Sequence, residues 1–163
     1  MQRFALSTTL LSIALLTACN AADRAAPASA QAAQAVAPPT AAETIGPFVV
    51  TTVARFDEPW AFSFLPDGRV LVSEKPGKLK LVDVASGKVG DVDGVPEVAY
   101  GGQGGFGDVV PHPQFADNGL VYLSYAEKGD GDTAGAAVAR ARLVTDDAGG
   151  GRLENLEVIW RQV

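Results

Sequence analysis

WAFSFLPDGRVLVSEKPGKLKLVDV, residues 60–84, decides how the rest of the chain is read. WAFSFL is aromatic-rich and alternating, which suits a strand, and RVLVSE is a second run of the same kind. Between them, Pro66-Asp67-Gly68 carries the residues that turn a chain sharply. KPGK at 75–78 turns it again, into LKLVDV. The stretch therefore reads as three short antiparallel strands in succession.

Working outward, the same texture continues. FVVTTVARF, residues 48–56, is β-branched and alternating, so it reads as a strand. Ser86-Gly87 turns into another extended piece, and FGDVV, LVYLSYAE, AVARARLV and LEVIWR follow. Gly, Pro and Asp fall between them. Beyond the N-terminal apolar run no long stretch has helical periodicity. The expectation is an all-β fold of short antiparallel strands. A propeller blade takes roughly 40–50 residues, so 45–163 holds about two to three blades. A closed ring needs at least about four. The region is thus either a compact sandwich or a piece of a larger ring, and two blades alone would leave flat apolar faces and edges uncovered.

The chain has 163 residues, a formal charge of −6 and a pI near 4.7. No basic patch is available to neutralise phosphates, so no nucleic-acid partner is expected. One Cys excludes an intrachain disulfide. MQRFALSTTLLSIALLTAC has Arg3, an apolar run and then small residues, the layout of an export signal. LTAC, residues 16–19, resembles the bacterial lipoprotein box, which implies cleavage after residue 18 and lipidation of Cys19. Acyl chains on that residue would hold the protein at a membrane surface. Asn20 follows, so the aspartate that retains lipoproteins in the inner membrane of enteric bacteria is absent. The expected location is periplasmic, anchored to the outer membrane. Residues 19–44 are Ala/Pro-rich and lack large apolar side chains, and are read as a flexible tether. The domain proper is 45–163.

GGQGGFGDVVPHPQF, residues 101–115, holds the candidate chemistry. Gln103 between two glycine pairs is either an exposed turn residue or a polar group presented to a pocket. A carboxamide both donates and accepts hydrogen bonds. The glycines are not a phosphate cradle, because no Lys-Ser/Thr and no helix follow. His112, the only histidine, invites a general-base reading. Asp130 and Asp132 in EKGDGDTAG suggest a calcium loop, but Ala141 stands where the closing Glu belongs, so a solvated tip is expected. Glu74 and Lys75 are read as a surface pair of little weight. Trp60 is read as a core anchor and Trp160 as packed.

WAFSFLPDGRVLVSEKPGKLKLVD, GGQGGFGDVVPHPQF, NGLVYLSYAE and AVARARL, in that order, resemble the N-terminal portion of the PQQ-dependent aldose sugar dehydrogenases, the glucose/sorbosone dehydrogenase family. The resemblance runs from about Phe48 to Val163. It implies a partial six-bladed β-propeller. It implies an enzyme that oxidises the C1 hydroxyl of an aldose by hydride transfer to PQQ, with calcium holding the cofactor. It places Gln103 in the substrate and PQQ pocket. It makes the HPQF element around His112 a structural corner with Phe115 packed inward. The family's catalytic histidine, its cofactor-binding arginines and lysine, and its calcium ligands match no position here. So no catalytic residue and no metal ligand is assigned, and the polypeptide by itself is expected to be inactive. The alternatives are a non-enzymatic, lipid-anchored β interaction module and the remnant of a truncated gene. Phe106-Gly107 and Pro111 depart from the family pattern, and Gly107 is expected to leave a small void or a bulge.

Overall fold

The computed structural model describes residues 43–163. The segment read as an export signal, Cys19, and all but the end of the segment read as a tether lie outside the described residues. A short antiparallel hairpin comes first, β1 (Glu43–Ile45) with β2 (Phe48–Val50). FVVTTVARF is therefore a strand only over its first three residues; 51–56 has no ladder partner.

Two four-stranded antiparallel meanders follow. The first is β3 (Pro59–Phe64), β4 (Val70–Glu74), β5 (Lys78–Asp83) and β6 (Lys88–Asp93). The second is β7 (Phe106–Pro111), β8 (Leu120–Lys128), β9 (Ala134–Thr145) and β10 (Gly151–Arg161). A one-turn helix, α1 (Phe115–Asn118), lies between β7 and β8. The turn chemistry works as the sequence implies: Gly68 N donates to Leu65 O at 3.0 Å, and Gly68 has φ of 87°. The meanders join through a two-residue parallel contact of β6 with β10, giving the order β3-β4-β5-β6-β10-β9-β8-β7. β3 and β7, the ends of that order, lie against each other.

The core sits between the meanders. Leu71, Leu79, Leu81 and Val92 of the first meet Phe106, Val109, Val121 and Leu123 of the second. On β9 the inward positions are Ala137, Ala139 and Ala141, all buried, and such small residues let the facing sheet approach. Each fully buried Leu contributes about 1.5–3 kcal/mol of transfer free energy. Phe115 packs against this core from α1.

The reverse face of the first meanders' sheet is only half covered. Val70, Val72 and Val82 are buried under Val53 and Phe56. Beside them Phe62 and Phe64 are 66% and 62% exposed and meet edge to face. Trp60 (54%) and Trp160 (52%) are exposed as well, so neither is a core anchor. An apolar sequence says that a side chain favours burial; it does not supply the surface that buries it. Gly107 leaves no void either. A Cβ there would stand 2.8 Å from Ser124 Oγ and 2.9 Å from its carbonyl oxygen, so the glycine permits β8 to approach. The bulge is present, as a register shift between Phe106 and Val109.

Candidate functional site

The loop that leads into β7 carries Gln103. Gly104 N donates to Gly101 O at 2.7 Å, closing a tight turn around Gly102 and Gln103. Gly102 has φ of 54°, a left-handed conformation that suits glycine at the first central position of such a turn. Gln103 is thereby presented at the tip. It lines a depression of about 370 Å³ together with Trp60, Lys75, Phe106, Ala136 and Gln162.

Lys75 is not the partner of Glu74. Its Nζ donates to Gly102 O at 2.5 Å and lies 5.8 Å from the Trp60 ring centroid. Its carbonyl accepts from Phe106 N at 2.9 Å, and its own N–H donates to Glu58 O at 3.0 Å. Glu74 points the other way. It is 3% exposed, accepts from Asp57 N at 2.8 Å and lies 3.8 Å from Lys80 Nζ. A buried carboxylate so partnered holds the approach to β3 in place, far from the weak surface pair that adjacent charges suggest. Glu58 has φ of 47°, unusual for a residue with a side chain. Its carboxylate accepts from the Tyr100 hydroxyl at 2.6 Å, and this hydrogen bond raises the Tyr100 phenol above its ordinary value.

The other sequence candidates lie elsewhere. His112 is outside the lining of the depression. Its Nδ1 accepts from Gln114 N at 3.0 Å, Asn118 Nδ2 stands 3.0 Å away, and the ring stacks on Tyr122. These contacts tie the corner between β7 and α1. Asp130 and Asp132 are exposed at the tip between β8 and β9, where Thr133 Oγ1 donates to Asp130 O at 2.8 Å. From the sequence Lys75 reads as half of a surface pair and Trp60 as a core anchor, and Gln162 carries no signal, since nothing in their local pattern points to a shared surface.

The depression offers a carboxamide, an ammonium, an indole face and a glycine-lined wall. These groups fit one side of a flat quinone such as PQQ: glycine lets backbone approach a ring closely, and the carboxamide offers both a donor and an acceptor. Calcium is different. Among the described residues no three His, Cys, Asp or Glu side chains come together to hold a metal.

Four-stranded antiparallel meanders laid face to face are the blades of a β-propeller, and this protein has two of them among its described residues. The fold agrees with solved structures. The PQQ-bound aldose sugar dehydrogenase of Streptomyces coelicolor superposes with a TM-score of 0.59 at 24% identity, over 78% of this chain and 36% of that one. A glucose dehydrogenase crystal structure gives a TM-score of 0.60 at 45% identity, over 65% of this chain and 30% of that one. In sequence, the aldose sugar dehydrogenase YliI of Escherichia coli is 38% identical over 110 residues, 67% of this chain and 29% of that protein. The glucose/sorbosone dehydrogenase family matches residues 56–163, and the chain belongs to that family. It spans less than a third of the E. coli relative's length.

Proposed function

We propose that the chain is the N-terminal part of a PQQ-dependent sugar dehydrogenase that oxidises the C1 hydroxyl of an aldose. The observation that carries this reading is Gln103, held at a turn tip on the rim of a depression, in a chain of the glucose/sorbosone dehydrogenase family. When bound, PQQ supplies the hydride acceptor. Gln103 orients: its amide donates to one oxygen and its carbonyl accepts from a sugar hydroxyl, without adding charge. The glycine wall forms the planar side of the pocket. Calcium belongs to parts of the ring beyond the described blades. Cys19 carries the lipid anchor, and the enzyme works in the periplasm at the outer membrane.

Two blades do not enclose a cavity, so the 163-residue polypeptide by itself is inactive. The test pairs two proteins: this polypeptide, and the product of the reading frame where it runs on past codon 163, a stop at that codon favouring the interaction module. Each is supplied with PQQ and calcium and assayed for aldose-dependent dye reduction. The reading expects turnover from the longer protein alone. Turnover by the short polypeptide defeats the claim of inactivity, and none from either defeats the enzyme reading in favour of an interaction module.

A further inference from the structure

We infer that Lys75 is a positioning residue for Gln103. It grips the glycine loop at both ends: its ammonium donates to Gly102 O on one side of Gln103, and its carbonyl accepts from Phe106 N on the other. Lys75 has this role in catalysis only if Gln103 faces the substrate, as proposed above.

The loop needs such a grip. Gly101, Gly102, Gly104 and Gly105 surround Gln103 and bring no side chains. Cβ atoms built on Gly101 and Gly102 would meet nothing within 4 Å, so no packing restrains that part of the turn. Glycine also has the most backbone freedom to lose on ordering. Among the described residues, Lys75 makes the only side-chain hydrogen bond to 101–105. A bond from an ammonium to a carbonyl is charge-assisted and stronger than a neutral one. The ammonium is held in turn by the face of Trp60. The loop is pressed onto Lys75 as well: a Cβ on Gly105 would stand 2.4 Å from the Lys75 carbonyl oxygen. The ammonium thus decides where Gly102 sits, and Gly102 decides where the next residue points.

The variants are Lys75→Met, which keeps the stem and the backbone carbonyl but loses the donor, and Lys75→Arg, which restores one. Both are made in the longer protein. Amide hydrogen exchange is followed without cofactor, and kcat/KM for aldose with cofactor. In Lys75→Met, exchange of the Gly104 amide, which donates to Gly101 O, rises roughly tenfold while β4 and β8 stay protected. In the same variant kcat/KM falls by roughly tenfold or more, and Lys75→Arg recovers most of both. Unchanged exchange at Gly104 overturns the assignment. So does faster exchange spread over β4 and β8, which marks general destabilisation, and so does a loosened loop with unaltered kcat/KM. If the unsubstituted protein oxidises no aldose, the enzyme reading fails, and exchange still decides whether Lys75 holds the loop.

Discussion

Ser73 Oγ donates to the carbonyl oxygen of Gly107 at 2.7 Å, a hydrogen bond that crosses from one blade to the next. Ser73 is fully buried on β4, and Ala61 N donates to Ser73 Oγ at 3.1 Å. One hydroxyl thus ties β3, β4 and β7 together where the two blades converge. Ser73→Ala leaves Ala61 N and Gly107 O without this partner in a buried place. We expect a loss of about 1–3 kcal/mol, read as a lower urea midpoint with an unchanged slope. An unchanged midpoint would show that water replaces the hydroxyl.

Gly107→Ala destabilises for a steric reason. Its methyl would collide with Ser124 Oγ and with the Ser124 carbonyl, so β7 and β8 must separate. Ser124→Ala removes only the first obstacle and also loses the bond from Asp108 N. The double variant therefore regains little of the loss, and a full recovery in thermal melts contradicts the backbone clash.

Gln103→Ala in the longer protein lowers kcat/KM for aldose by about tenfold to a hundredfold. Stability stays within about 0.5 kcal/mol, because the side chain is exposed at a turn tip. A variant that keeps full kcat/KM removes Gln103 from the pocket.

The exposed face of the first blade governs association. Phe62, Phe64 and Trp60 border an open apolar cleft of about 560 Å³. A patch of this kind favours pairing between copies of the short polypeptide. Replacing Phe62 and Phe64 by Ser shifts that polypeptide toward monomer in light scattering. In the longer protein of the proposed reading a further blade would cover the face, and there the same pair of changes would lower the melting temperature. A monomeric unsubstituted polypeptide refutes the first half.

Two turn carboxylates make stability depend on acid. Arg69 beside Asp67 holds its carboxyl below the ordinary 3.8. The N–H of Ser86, with that of Ala85, does the same for Asp83. A depressed carboxyl binds its proton more readily in the unfolded chain. Its contribution is therefore complete above the ordinary value and disappears as pH falls through the lower, folded one. Asp67→Asn and Asp83→Asn each flatten the decline of melting temperature below about pH 4. An unchanged slope in both assigns acid sensitivity to other groups.

Strand and turn were legible in the residues themselves. The alternation of RVLVSE and LVYLSYAE, the PDG and KPG turns and the glycine pairs around Gln103 act over a few neighbours, through backbone sterics and local hydrogen bonds. The ordered motifs also carried the family. What the amino acids could not say was which side of each strand would be covered. Glu74 and Lys75 are adjacent and both charged, yet Glu74, the last residue of β4, is buried and accepts from Asp57 N, while Lys75, the first residue of the turn, reaches to Gly102. Trp60 and Phe115 are both large and apolar, yet only Phe115 has a facing sheet. Local chemistry writes the strands; the meeting of two blades, residues far apart in the chain, decides burial, the grip on Gln103 and the shape of the depression.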